Sequence, residues 1–165
     1  MQVVGRHLSS FALSLRGTSS DELLFARSAF NRYYYAAFLA SRQLLIETTG
    51  KKDLSHKAIP AYLLGNFQDT LKRQIRAHTN SGVLTRGRQS RMLNSLRDNT
   101  LFLSNVLKEA YGVRVLADYD PDAPVDILPD TYLLGASTLS AASNWLRRAE
   151  MHCKNLHRIW IDLGN

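Results

Sequence analysis

Cysteine is almost missing: Cys153 stands alone, so the chain can form neither an internal disulfide nor a cysteine-based zinc site. Position 153 falls on an apolar helical stripe, and the thiol reads as packing rather than as a nucleophile. Proline is scarce, and three of the four lie between residues 118 and 130, which leaves the rest of the chain nearly free of helix breakers. No apolar run approaches the roughly 20 residues that a membrane span needs. The first residues do not read as a secretory leader, because Arg6, His7 and Arg16 interrupt their apolar positions and no small-residue cleavage site follows. A cytoplasmic protein without membrane association is expected. A glycine-rich phosphate loop and a nucleophile elbow are also missing, and no His, Asp and Glu set has metal-ligand spacing. Neither a metal nor a cofactor is expected.

What is present is core and positive charge. Hydrophobic residues are 45% of the 165, enough to rule out a disordered chain, and the length suits one domain over 1–165 with its core at about 19–163. Lys and Arg outnumber Asp and Glu by 21 to 14. The resulting charge of +7 favours phosphate-rich or acidic partners, although it would equally serve solubility.

The apolar spacing predicts an all-α chain of four or five antiparallel helices in an up-and-down bundle. The first helix covers about 2–15, with Val3, Val4, Leu8, Phe11, Ala12 and Leu15 on one face. The second opens at Ser19-Ser20-Asp21-Glu22, where Ser19 and Glu22 have capping-box spacing. Its stripe runs through Leu23, Ala26, Phe30, Tyr33, Ala37, Ser41 and Leu44, and Gly50 is its expected left-handed cap. The third lies within 55–76, with Ile59, Leu63, Phe67, Leu71 and Ile75 on its face and Pro60 tolerable only in its first turn. A polar loop follows at 78–87. The fourth covers about 88–110 and is expected to end at Gly112. Prolines and aspartates make 118–130 a loop rather than a strand. The fifth covers 139–163 without a break, with Arg147, Arg148, Lys154 and Arg158 off its stripe and facing solvent.

Two stretches could carry chemistry. In Asn31-Arg32-Tyr33-Tyr34-Tyr35, three adjacent phenols cover most of a helix circumference, so one ring must sit at the core margin. That arrangement fits packing with a structural network of Arg32, Tyr34 and Tyr35. In Arg114-Val115-Leu116-Ala117-Asp118-Tyr119-Asp120, a permanent cation, acids and a phenol fall within a few residues. Arg114 could fork onto a phosphate or form an internal ion pair, and spacing alone does not choose. Arg76, Arg86, Arg88 and Arg91 flank the loop around Gly82, as a solvated surface or as an RNA-phosphate contact. His56 reads as a cap, a ligand or a packed ring, and as a further member of that structural network.

The order of these pieces resembles the HEPN superfamily in its UPF0332-like group. Arg32-x-Tyr34-Tyr35-Ala36-x-Phe38 is similar to that group's second-helix signature. His56-Lys57-Ala58-Ile59 resembles its histidine-led third helix, and Arg114-x-x-Ala117-Asp118-Tyr119-Asp120 its arginine followed by Ala-Asp-Tyr. The resemblance implies a helical bundle that often dimerises. It also implies RNA-directed function, as a metal-independent endoribonuclease toxin paired with a minimal nucleotidyltransferase or as a defence-complex component. Other members only bind RNA, nucleotides or protein partners, and a noncatalytic module is the alternative. On the nuclease reading, Arg114 stabilises phosphate charge while Asp118 or Tyr119 orients the reacting groups. Nuclease-type members carry a histidine separated from the arginine by four to six residues, and here the alignment puts Ala117 in its place. Alanine cannot carry a proton. Arg73 with His78 has the required gap elsewhere, as does Arg147 with His152.

Overall fold

Helices α1 (Gln2–Ser14), α2 (Glu22–Thr49), α3 (Ala58–Tyr62), α4 (Gln68–Asn80) and α5 (Arg86–Tyr119) precede three short strands, β1 (Val125–Leu128), β2 (Thr131–Leu134) and β3 (Ser137–Thr138). Helices α6 (Leu139–Ala142) and α7 (Trp145–Asp162) complete the chain. The computed structural model describes residues 1–19 and 21–164. Ser20, part of the expected capping segment, lies outside the described residues. The chain divides into two interleaved units: residues 1–39 with 107–148, and residues 40–106 with 149–165.

In the first unit, Ala26, Phe30, Tyr33, Tyr34 and Ala37 of α2 are buried, as are Ala110 and Val113 of α5, Tyr132, Leu134 and Trp145. The expected α1 stripe is corrected. Val3, Val4 and Phe11 are exposed, and the buried residues of α1 are Gly5 and Ala12. The cause is close approach: a Cβ on Gly5 would stand 2.8 Å from the Tyr33 ring, so only small residues fit that face. The capping box also differs. Glu22 accepts from the Gly17 amide at 2.8 Å, while the Ser19 hydroxyl accepts from the Asp21 amide at 3.1 Å.

The expectation of a strandless loop at 118–130 is overturned. Residues 125–138 form an antiparallel sheet ordered β1-β2-β3, with Ile127 opposite Tyr132 and Leu133 opposite Thr138. Two-residue turns join the strands. Gly135 supplies the positive φ (59°) that a hairpin turn of the II′ kind needs at its first loop position. The other turn, Pro129-Asp130, has no positive φ, and such unprimed turns splay strands. Arg16 holds it by donating to the carbonyls of Leu128 and Pro129. The Tyr132 hydroxyl donates to Ala12 O at 2.9 Å and ties the sheet to α1.

In the second unit, Ile59, Leu63, Phe67, Leu71 and Ile75 are all buried. Pro60 sits in the first turn of α3, where its missing N–H costs nothing. A π turn at Leu63–Phe67 joins α3 to α4, with Gly65 outside helical geometry. Gly50 caps α2 with φ 68°. The polar loop shortens to 81–85 because α4 runs on to Asn80, and α5 opens two residues earlier than expected. The Thr85 hydroxyl accepts from the Arg88 amide at 3.2 Å. Helix α5 does not stop at Gly112 but continues seven residues to Tyr119. The expected unbroken last helix is interrupted at Ser143-Asn144. Over 139–163 the buried positions are Leu139, Ala142, Trp145, Ala149, His152, Leu156, Ile159 and Leu163, while Leu146, Cys153 and Trp160 are half-buried.

Candidate functional site

The continuation of α5 decides the geometry around Arg114. Positions 114 and 118 fall one helical turn apart, and Arg114 Nε lies 2.8 Å from Asp118 Oδ2. The approach is off the N–H axis, so this is an ion pair rather than an aligned hydrogen bond. Arg114 Nη2 donates to the Tyr119 hydroxyl at 3.0 Å, and the guanidinium stacks 4.7 Å over the Tyr119 ring. The Tyr35 ring lies 6.0 Å away on α2. Asn31 Nδ2 donates to the other oxygen of Asp118 at 2.5 Å. Burial works against the Arg114 charge, but the Tyr119 hydroxyl and the Asp118 carboxylate outweigh it and raise the guanidinium pKa.

Tyr34 lies beneath this group, with ring centroids 5.5 Å from Tyr35 and 6.0 Å from Tyr111. Burial raises its pKa, against a lowering influence from Arg114. Tyr33 and Tyr34 are buried while Tyr35 is half-buried, so Tyr35 is the phenol at the core margin. Arg32 does not sit with this group. It is exposed, and its Nη1 stands 4.0 Å from Met1 Sδ. His56 belongs to the other unit, half-buried just before α3.

Asp118 and Asp120 stand at the negative end of the α5 dipole, which disfavours them. Arg27 offsets this and has no local sequence signature. Its guanidinium donates to Leu116 O at 3.0 Å, Asp120 O at 2.8 Å and Pro121 O at 3.2 Å, and also to Ala123 O. Arg114, Asp118 and Tyr119 thus form a braced cluster. Among the described residues it contains no imidazole, the group best suited to moving protons near neutral pH.

The two other arginine–histidine pairs do not converge within the chain. Five helical positions place their side chains about 140° apart around a helix axis. Arg73 is exposed and donates to the Thr70 hydroxyl at 3.4 Å, while His78 is half-buried at the end of α4. Arg147 reaches Asn144 Oδ1 at 3.4 Å, whereas His152 is buried.

The second unit holds a basic cleft of about 530 Å³. Arg88 and Arg91 reach it from the start of α5, and Arg158 from α7. Arg76 and Arg86, exposed on α4 and at the first position of α5, do not line it. Arg88 pairs with Asp162 at 3.3 Å. Among the described residues Arg91 and Arg158 have no ion-pair partner. The apolar part of the lining is Met92 and Ile159, and the uncharged polar part is Ser95 and Asn155.

A buried amide network backs the cleft. Asn155 Nδ2 donates to Asn99 Oδ1 at 3.0 Å, and Asn99 Nδ2 donates to Ser95 O at 2.7 Å. His152 Nδ1 lies 2.9 Å from Asn99 Oδ1. That oxygen can only accept, so Nδ1 is the protonated ring nitrogen. The His152 ring stacks on Phe102 at 5.6 Å. Arg158 was expected only to face solvent, yet its three-residue spacing from Asn155 places both on one face of α7.

No helix is long and apolar enough to cross a membrane, and no group of three or more His, Cys, Asp and Glu could hold a metal ion, both among the described residues. No family model, curated protein or solved structure matches the chain. Its chemistry therefore rests on its own side chains.

Proposed function

We propose that this chain is a noncatalytic, RNA-directed binding module of the HEPN kind, which engages phosphate through the cleft of Arg88, Arg91 and Arg158. The observation that carries the reading is two exposed guanidiniums without ion-pair partners among the described residues, set in one concavity with a third. Guanidinium forks suit phosphate oxygens and stay charged at any physiological pH. A helical architecture and the three short motifs agree with the HEPN resemblance. Homodimerisation, a nucleotidyltransferase partner or a place in a defence complex, and a cytoplasmic setting belong to the same proposal.

The test is fluorescence anisotropy with a single-stranded RNA between 50 and 200 mM salt. Each phosphate contact adds a slope of about −0.7 in log affinity against log salt. Arg91→Gln with Arg158→Gln should weaken binding at least tenfold and flatten the slope by about 1.4. Unchanged affinity and slope would remove the cleft from the site.

A second reading places metal-independent RNA cleavage at Arg114, Asp118 and Tyr119, and what favours it is the gathering of those three beside Tyr35. RNA incubated in chelator with the native chain, Arg114→Ala or Asp118→Asn decides it. Specific cleavage lost in both variants supports this reading, and intact RNA in every lane supports the binding module.

A further inference from the structure

We infer that the basic cleft takes the terminal phosphate of a nucleotide, a phosphomonoester, rather than an internal phosphodiester of a strand. The inference rests on the RNA reading for its biological source, but its chemistry comes from the cleft. Three arginines against Asp162 leave two net positive charges in one concavity. A phosphomonoester carries about −1.5 to −2 at pH 7, whereas each diester of a strand carries a single negative charge. The cleft therefore matches one dianion. A strand's diesters would be better served by cations spread along a groove. Arg88 and Arg91 are three residues apart on α5, so they present as neighbours rather than as a row.

Size and lining agree. A volume of about 530 Å³ falls in the range of small-ligand sites, about 300–1,000 Å³. The largely buried Met92 and Ile159 offer an apolar wall for a ribose or the face of a base. Asn155 spends one amide hydrogen on Asn99 and, among the described residues, keeps its other hydrogen and its oxygen for a ligand. Because Asn99 is itself fixed by Ser95 and His152, Asn155 is oriented before anything binds. Asp162 holds Arg88 while leaving Arg91 and Arg158 available for phosphate oxygens.

The experiment compares one ten-nucleotide RNA in three forms, with a 5′-phosphate, a 3′-phosphate or hydroxyls at both ends, as competitors in an anisotropy assay. Adenosine monophosphate is a fourth competitor. One phosphorylated form should bind at least tenfold more tightly than the hydroxyl-ended form. Arg158→Gln and Arg91→Gln should each erase that preference without lowering the melting temperature, since both side chains are exposed. Equal affinity for the three RNAs overturns the inference and leaves RNA binding standing. Mononucleotide binding that is lost in Arg158→Gln, with no RNA bound, keeps the phosphomonoester site and removes the RNA reading. Binding of none of the four removes both.

Discussion

Arg27 donates to four backbone carbonyls at the end of α5 and in the turn beyond it, a task that needs both the charge and the planar fork of a guanidinium. Arg27→Ala should cost on the order of 2–3 kcal/mol in urea unfolding, because several partly buried acceptors lose a charged donor. Arg27→Lys should recover little of it, and full recovery would show that charge alone matters. Cys153 makes a different prediction. Burial pushes its thiol up to about 12 from 9.0, with Glu150 and Glu47 adding to the rise and a hydrogen bond with Ser41 opposing it. The folded state thus holds the thiol proton more tightly than the unfolded state. Stability should be intact below about pH 9 and fall as pH rises from there toward the folded value. Cys153→Ala should flatten the decline just above pH 9, and iodoacetamide at pH 8.5 should label the folded chain far more slowly than the urea-unfolded one. The residues legible in the sequence were those joined by local spacing. Arg114 and Asp118 meet because a step of four on one helix brings them together, and Tyr119, the last residue of α5, reaches back over the guanidinium. Arg27 and Arg158 were not legible as site residues, since their partners lie across the tertiary structure or on another helix.

At the scale of elements, the reading of Gly112 as a helix stop failed because glycine in a helix interior costs only about 0.5–1 kcal/mol. Helix α5 recovers that through Val113, buried beyond it, and the Arg114–Asp118 pair. Gly112 is exposed and an added Cβ would meet nothing within 4 Å. Gly112→Ala should therefore stabilise the chain by about 0.5–1 kcal/mol and raise Tm by about 1–3 °C. An unchanged or lower Tm in calorimetry would contradict a helix through this point. The strands escaped notice because each is at most four residues long, with prolines and aspartates close by and no clear alternation in Val125–Leu128. The apolar steps from Ile59 to Ile75 were legible as a helix face, but their uniform spacing of four carries a message. In a regular α-helix such steps drift about 40° each, so the stripe would wind away from its core. The wide π turn at Leu63–Phe67 takes up the drift, and all five side chains remain buried.

For the whole molecule, the helical class was plain from composition and period, whereas the division into two units was not. Each unit is assembled from two separated stretches of chain, and no linker composition marks where one gives way to the other. A chain ending at residue 148 would lack Ala149, Leu156, Ile159 and Leu163, buried residues of the second unit. It should retain helical circular dichroism but lose dispersed side-chain NMR signals and cooperative melting. A sharp melt like that of the full chain would argue that the last helix is dispensable. The interleaving also bears on synthesis. When residue 106 has left the ribosome, the nascent polypeptide holds about half of the first unit and all of the second but its last stretch, and neither core is complete. The first becomes complete near residue 148 and the second only with residues 149–165, so apolar faces of both stay uncovered until those stretches have emerged.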